Sequence, residues 1–244
     1  MANDSTVYAK YIFLDIVKYS TRSVEGQTAI IKALNEIVEQ VANEYKIDSD
    51  HAIYIPTGDG MCIGLINVIN PYDIHLRISM DILNLIEKHN KKESNPTHKF
   101  NVRIGINEND DNLVTDINGK RNFAGNGINI AQRIMSCGDE NMIIVSSSVK
   151  DRLSARDAYL DKFKGYKVTI KHGEKINVYQ YIDDSIRYLS TDTPSAILKA
   201  NKRRKNKMYT KPLSFLFDYI SDKLKEKETK TVDLTPKDRL IDKQ

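Results

Sequence analysis

The sequence predicts an α+β domain of the ferredoxin-like type, with two β-α-β units interleaved in the order β-α-β-β-α-β. Three observations predict this class. Strand-like apolar segments alternate with segments whose apolar residues recur every three to four positions. A turn at residues 56–60, containing one proline and two glycines, joins two strand-like segments directly as a hairpin. The order of the segments is that of the split β-α-β arrangement.

The first half of this order consists of a strand, a helix and a hairpin. Residues 7–16 cluster apolar side chains like a buried strand, and residues 25–45 carry apolar positions at helical spacing. Short strand-like segments at residues 51–55 and 61–66 flank the turn. In a split β-α-β fold the first strand lies beside this hairpin.

The second half begins with a helix and continues with strands on either side of another helix. Asn70 and Pro71 predict the helix start, with the asparagine as cap and the proline at the first helical position. Strands are predicted at residues 100–106 and 113–117, and a third helix at residues 127–135. Further strands are predicted at residues 142–145 and 178–182.

Length and charge indicate one domain with an appendage. The 244 residues, 40% of them hydrophobic, suffice for one packed domain, which we assign to residues 1–183. Residues 184–244 are predicted to be a basic tail, partly helical and partly disordered, and they supply the positive excess behind the formal net charge of +4. The rest of the sequence lacks the basic stripe of a nucleic-acid-binding protein, so no nucleic-acid partner is expected.

Cysteine usage and hydropathy indicate a cytoplasmic protein. Cys62 and Cys137 belong to no CxxC motif or Cys/His cluster, which argues against a disulfide framework and against zinc. The first residues do not show the basic start and apolar core of a signal peptide. No stretch reaches the ~18 uninterrupted apolar residues of a membrane helix, so direct membrane insertion is not expected.

Two aspartates are candidate metal ligands. Asp15 lies within an apolar strand, where a carboxylate is costly to bury unless a cation or hydrogen-bond donors hold it. Asp59 lies at the tip of the neighbouring hairpin, so the two can face the same point, and paired carboxylates suit Mg²⁺ or Mn²⁺. Taken singly, Asp15 can also be read as a salt-bridged strand residue, and Gly58-Asp59-Gly60 as an ordinary turn.

A third group of candidates lies on the third predicted helix and on a strand before it. Asn129 and Arg133 are four residues apart and therefore share one helical face, where an amide can bind a sugar and a guanidinium a phosphate. Arg103 lies on the strand predicted at residues 100–106. The structural alternatives are a solvent-facing pair on the helix and an edge-strand charge.

Four sequence segments occur in a family's order: FLDIVKYS from Phe13, TGDG from Thr57, VRIGI from Val102 and GNGINIAQR from Gly125. They resemble the signature blocks of class III nucleotide cyclases, the adenylate and guanylate cyclase catalytic domain, over residues 9–182. The resemblance implies a class III cyclase domain with extra C-terminal strands and an appended helical tail.

The resemblance also implies roles for individual residues. In this family two aspartates bind two divalent metal ions, Mn²⁺ or Mg²⁺, which would here be Asp15 and Asp59 with the backbone carbonyl of Ile16. The asparagine that orients the ribose corresponds to Asn129. The arginine that stabilises the transition-state phosphate corresponds to Arg133.

Further contacts to the substrate and to a second subunit are implied in the same way. Arg103 would grip the triphosphate, and Lys171 or Lys175 would add another cation. The other implied substrate-binding positions are Phe13, Tyr19 and Ser20 in the first segment, together with Ile55 and Asn122, which would contact the base of the nucleotide. Because the family takes the metal ligands from one subunit and the asparagine and arginine from the other, a head-to-tail homodimer with shared sites is implied.

The base-reading positions depart from both main branches of the family. Adenylate cyclases carry lysine and aspartate where this chain has Ile55 and Asn122, and guanylate cyclases carry glutamate and cysteine. The departure resembles the bacterial pyrimidine cyclases of the Pycsar antiphage system, whose cyclic nucleotide is sensed by a separate effector protein. We therefore expect conversion of UTP into 3′,5′-cyclic UMP, with CTP as the alternative substrate because an amide both donates and accepts hydrogen bonds.

Three other functions are alternatives to this expectation. An ordinary adenylate cyclase ranks after the CTP alternative, and a degenerate, non-catalytic cyclase-fold scaffold ranks after that. The scaffold predicts the loss of a metal-binding or transition-state residue, yet all are present. A diguanylate cyclase shares the topology but needs a Gly-Gly-Asp/Glu-Glu-Phe run on the hairpin, which the sequence from Thr57 to Met61 does not supply.

Overall fold

The computed structural model describes residues 5–169 and 175–200. The chain forms two compact units, residues 1–198 and residues 199–244, and only the first two residues of the second are described. Lys171 and residues 201–244 of the predicted tail therefore lie outside the described residues. Within the described ranges, no helix is both long enough and apolar enough to cross a membrane.

The ferredoxin-like prediction is confirmed. Within the described ranges, eight strands form one sheet in the order β2-β3-β1-β4-β6-β8-β7, with β5 paired to β4. The central strand β1 runs antiparallel to both β3 and β4. The strands are β1 (Thr6–Ile16), β2 (Ala52–Pro56), β3 (Gly60–Ile66), β4 (Val102–Thr115), β5 (Arg121–Ala124), β6 (Ile143–Val145), β7 (Phe163–Thr169) and β8 (Lys175–Tyr181). The helices are α1 (Val24–Glu44), α2 (Ile74–Lys92), α3 (Gly127–Met135) and α4 (Ser147–Ser154).

The two faces of the sheet are covered by different helices. Ile12 and Leu14 of β1 join the large core that contains the buried sides of α1 and α2. Tyr11 and Phe13 of the same strand face the opposite side, where they pack in one cluster with buried residues of α3. Because side chains alternate along a strand, Asp15 belongs to the α3 face.

Two sequence-based expectations about elements are wrong. Helix α2 begins at Ile74 with Asp73 at the N-cap position, rather than at Asn70 and Pro71. The strands predicted at residues 100–106 and 113–117 are one strand, β4, because it pairs along the whole length of β1.

The short strand β5 was not predicted, although a local signal for it exists. The turn before it contains Asp116, whose carboxylate accepts the amide N–H groups of Asn118 (2.8 Å) and Lys120 (2.9 Å). Gly119 in the same turn has a φ of 74°. An Asn-Gly pair between two apolar segments is a hairpin signal, and here it joins β4 to β5.

Asp73, at the N-cap position of α2, has a buried carboxylate whose contribution to stability can be tested. Its carboxylate is 1% exposed and accepts hydrogen bonds from Arg77 Nε (2.8 Å) and the Tyr159 hydroxyl (2.7 Å). Burial alone raises the pKa of Asp73, but the donated hydrogen bonds from Arg77 and Tyr159 outweigh it and leave the pKa below its usual value. The folded state therefore prefers the ionised carboxylate.

We expect Asp73→Asn to lower the free energy of unfolding by about 2 kcal/mol at pH 7, because a hydrogen-bonded buried charge is lost. A carboxylate whose folded pKa is lowered contributes stability above its unfolded pKa and loses it as the pH falls through the folded pKa. Urea unfolding from pH 7 to 3 should thus show the difference from wild type shrinking below about pH 4. A difference that stays constant to pH 3 would show that shape rather than charge matters here.

Candidate functional site

The end of β1 brings the two candidate aspartates together. Asp15 lies opposite Gly60 of β3, and the backbone N–H of Ile16 donates to the carbonyl of Asp59 at 2.8 Å. A Cβ on Gly60 would lie 2.0 Å from the carbonyl oxygen of Leu14, so only glycine lets the hairpin close this tightly on β1. This close approach places Asp59 beside Asp15 although they are far apart in sequence.

Charge at this strand end is only partly balanced. The Asp15 side chain is 13% exposed, and Arg103 Nε donates to its Oδ2 at 2.8 Å. Burial raises the pKa of Asp15, the Arg103 guanidinium lowers it, and the nearby Asp59 carboxylate raises it further, with a net rise. The Asp59 carboxylate is exposed. Two carboxylates thus lie close to each other, and the Arg103 guanidinium is hydrogen-bonded to one of them, Asp15.

The alternatives for these residues can now be judged. Asp15 is salt-bridged, as the structural alternative held, but the salt bridge does not account for the second carboxylate beside it. Arg103 is not an edge-strand charge, because β4 lies between β1 and β6.

The donor set fits a divalent cation. Carboxylate and backbone oxygens are the ligands that Mg²⁺ and Mn²⁺ prefer, and a cation would relieve the repulsion between the two acids. Across the described part of the chain, no cluster of three or more His, Cys, Asp or Glu side chains is suited to a metal ion. Among the described residues, Asp15 and Asp59, together with the backbone carbonyl of Ile16, are the oxygen groups that the sequence predicts as metal ligands.

A cavity of about 950 Å³ opens next to Asp15. Its walls include two cationic side chains, Arg103 and Lys18, and the acidic side chains of Asp139, Glu140 and Asp192. Other residues of the segments 138–142 and 190–193 complete the lining, with the exception of Thr191. Lys18 has a φ of 59°, in the left-handed region that is uncommon for a residue with a side chain. Sequence reasoning missed Lys18 and residues 190–193 as lining residues; nothing in the sequence signals the second group, whereas Lys18 lies inside the first motif.

The other residues of the first motif extend from the strand into the following turn. Phe13 is buried two positions before Asp15 on the same face of β1. Tyr19 and Ser20 belong to a short 3₁₀ turn, Tyr19–Thr21, directly after Lys18. Tyr19 is half-buried against the core, whereas Ser20 is exposed.

Asn129 and Arg133 lie on α3, on the same face of the sheet as Asp15. Asn129 is exposed and Arg133 is half-buried. The backbone carbonyl of Arg133 accepts hydrogen bonds from the Ser136 hydroxyl (2.7 Å) and the Cys137 thiol (3.3 Å), which close the end of the helix. The prediction of a helix over residues 127–135 matches α3.

The two positions that are predicted to read the base lie on strands that contact each other, β2 and β5. Ile55 of β2 is half-buried at the margin of the apolar cluster on the α3 face. Asn122 of β5 is half-buried, and its Oδ1 accepts the backbone N–H of Phe123 at 2.8 Å. Of the two candidate lysines, Lys175 is an exposed residue at the start of β8, whereas Lys171 is outside the described residues.

Comparison with known families gives one match that covers most of the chain. The family model described as "Adenylate and Guanylate cyclase catalytic domain" matches residues 4–183. Comparison with curated protein sequences gives no match.

Solved structures of similar fold have low sequence identity. The guanylate cyclase domain of RhGC from Catenaria anguillulae in complex with GTP is 19% identical, with a TM-score of 0.55, over 72% of this chain and 96% of that one. The adenylyl cyclase CyaB from P. aeruginosa is 15% identical, with a TM-score of 0.54, over 77% and 100%. The adenylate/guanylate cyclase/hydrolase from Silicibacter pomeroyi is 20% identical, with a TM-score of 0.57, over 75% and 100%.

Proposed function

Because the chain belongs to the adenylate and guanylate cyclase catalytic domain family, we propose that it is a uridylate cyclase, which converts UTP into 3′,5′-cyclic UMP and pyrophosphate. The observation that carries the proposal is the pair of carboxylates at the end of β1, where Asp15 and Asp59 lie together beside Arg103. Class III cyclases use divalent metal ions, and Asp15, Asp59 and the carbonyl of Ile16 are the groups that would hold them here.

Two divalent cations, Mn²⁺ or Mg²⁺, supply activation of the ribose 3′-hydroxyl and neutralisation of the triphosphate when bound. The protein's own contribution is position and charge. Arg103 and Lys18 are the cationic side chains at the cavity beside Asp15 that could contact a triphosphate tail, whereas Asp139, Glu140 and Asp192 on the same walls add negative charge. In the proposed reaction the 3′-oxygen attacks the α-phosphorus in line, the bond to the pyrophosphate oxygen breaks, and the 3′-hydroxyl proton is released.

The residues of α3 serve the same reaction. Asn129 orients the ribose, so that attack becomes effectively intramolecular. Arg133 stabilises the negative charge that develops on the oxygens of the α-phosphate in the transition state. The site is proposed to form between two copies of the chain, with the aspartates from one copy and Asn129 and Arg133 from the other.

The proposed preference for uracil over cytosine rests on the orientation of Asn122. Its Oδ1 already accepts the Phe123 N–H, which leaves the Nδ2 donors to face a base. Uracil presents a carbonyl acceptor at C4, whereas cytosine presents an amino donor there. Ile55 adds no polar group, so neither member of a purine-reading pair is present.

Exchanging the Asn122 donor for an acceptor tests this assignment. We expect Asn122→Asp to lower the ratio of kcat/KM for UTP to that for CTP by at least about tenfold, because one mismatched hydrogen bond costs about 1–3 kcal/mol of discrimination. The carboxylate can still accept the Phe123 N–H, so the local fold should be kept. The measurement is steady-state kinetics with both nucleotides, and an unchanged ratio would remove Asn122 from base recognition.

The function itself is tested by incubating the purified full-length chain with each of the four nucleoside triphosphates and Mn²⁺, followed by chromatography. Cyclic UMP as the main product supports the proposal. Cyclic CMP as the main product would instead identify a cytidylate cyclase and cyclic AMP an adenylate cyclase, and absence of any cyclic product would favour a non-catalytic scaffold.

We further propose that the cyclic nucleotide acts on a separate effector protein in antiphage defence.

A further inference from the structure

A buried carboxylate outside the metal-binding pair lies under the start of α3. Asp111 is in the second half of β4 and is 4% exposed. Asp111 lies at the opposite end of β1 from Asp15, because Asp111 pairs with Val7 whereas Arg103 pairs with Asp15. Asp111 is therefore not part of the metal pair, and its carboxylate has hydrogen-bond partners of its own.

Three neutral donors from three different parts of the fold converge on Asp111. The hydroxyl of Tyr11 in β1 donates to Oδ2 at 2.6 Å, and the backbone N–H of Gly127, the first residue of α3, donates to Oδ2 at 3.0 Å. The amide of Asn109 donates to Oδ1 at 2.6 Å. Burial and the bond to Asp111 raise the pKa of Tyr11, so its phenol stays a donor.

Two glycines at the start of α3 leave the space that this carboxylate occupies. A Cβ on Gly125 would lie 1.9 Å from Asp111 Oδ1, and a Cβ on Gly127 would lie 2.3 Å from Oδ2. Asn107 adds a second tie, since its Nδ2 donates to the carbonyl of Gly127 at 3.0 Å. The first turn of α3 is thus held against β1 and β4 through Asp111.

We propose that Asp111 is a positioning residue for the cyclase reaction, which anchors the N-terminus of α3 to the sheet and so sets where Asn129 and Arg133 stand. This inference rests on the proposed function. The negative carboxylate also suits the positive end of the α3 dipole. Asn129 lies two residues after Gly127, so a shift at the anchor moves it directly.

The helix has only nine residues, which makes an anchor at its first residue effective. A helix this short is not stable by itself and takes its position from packing and end contacts. Gly105 of β4 lies so close under the middle of the helix that an added Cβ would be 2.4 Å from the Ala131 carbonyl. The contact of Gly127 with Asp111 holds the helix at a second place, its first residue.

The test is a double-mutant cycle on kcat. We expect Asp111→Asn to lower kcat by about 10- to 100-fold with little change in KM, because a shift of about 1 Å in a catalytic group has effects of this order. In the Arg133→Lys background, which keeps a cation on α3 and therefore measurable turnover, the same substitution should lower kcat by a clearly smaller factor than in the wild type, because the share of the loss that acts through Arg133 is already taken while only the share that acts through Asn129 remains. Tyr11→Phe, which removes one donor and keeps the ring, should give a smaller loss with the same dependence on Arg133.

Asp73→Asn is the matched control, since Asp73 is also a buried carboxylate that accepts from a tyrosine hydroxyl but lies under α2. It should destabilise the fold without lowering kcat of the folded enzyme. An Asp111→Asn loss of equal size in both backgrounds would overturn the inference, and so would unchanged kcat.

Hydrogen exchange separates failure of this inference from failure of the proposed function. Asp111→Asn should increase exchange of the amides in residues 127–131 at least tenfold, and Asp73→Asn should not. If the wild type makes no cyclic nucleotide, the proposed function fails while the exchange result still decides whether Asp111 anchors α3. Unchanged exchange in residues 127–131 would overturn the anchor regardless of activity.

Discussion

Asp59→Ala is expected to lower turnover by at least about 10³-fold while leaving the fold intact. The loss should be this large because the charge stabilisation supplied by a held divalent ion amounts to several kcal/mol of the barrier. Stability should hardly change, since Asp59 is exposed and its backbone contact to Ile16 does not involve the side chain. The measurement is cyclic nucleotide formed per minute, together with the thermal midpoint of unfolding.

The control for Asp59→Ala is Asp151→Ala. The Asp151 side chain is also exposed, at 70%, and among the described residues it pairs with Lys150 next to it on α4. Removing this carboxylate should leave both rate and stability unchanged, because surface ion pairs contribute little. Should Asp59→Ala retain more than a tenth of wild-type turnover, the carboxylate pair would not be the centre of the reaction.

Mixing two inactive variants is expected to restore activity. Asp15→Ala removes a metal ligand and Arg133→Ala removes the cation on α3, and each change should inactivate both sites of a homodimer. In a mixed dimer one site carries both defects and the other carries none. Equal mixing gives half of the dimers as mixed dimers, so recovery should approach about a quarter of wild-type turnover.

Recovery should also depend on concentration, because it requires exchange of subunits. The informative measurement titrates one variant into a fixed amount of the other and follows cyclic nucleotide formation. A mixture of Asp15→Ala with Asp59→Ala is the matched negative control, since no site in that mixture holds both aspartates. Sites formed within one chain would leave both mixtures inactive.

The order of elements could be predicted from the sequence because short-range patterns determine it. The alternation along β1 and the helical spacing along α1 and α3 report local geometry and burial directly. The long strand β4 was predicted as two strands, because the polar residues in its middle interrupt the apolar pattern. The strand is continuous because it pairs with β1 along its length. The start of α2 was misplaced because a local cap signal at Asn70 competes with the tertiary contacts of Asp73.

The residues of the candidate site also fall into two groups, those that could be predicted from the sequence and those that could not. Asp15, Asp59, Asn129 and Arg133 were found from residue types and their spacing. Lys18, Asp111 and residues 190–193 were not, since their importance comes from what lies next to them in space.

By itself the sequence determined the order of strands and helices and the motifs that mark the family, because both are written in residues that are neighbours along the chain. Tertiary structure decided that Arg103 pairs with Asp15 and that Asp111 holds the start of α3. The Arg103–Asp15 contact joins residues 88 positions apart. It exists only because β1 and β4 pair in one register, and a shift of either strand by one residue would turn one of these two side chains to the other face of the sheet.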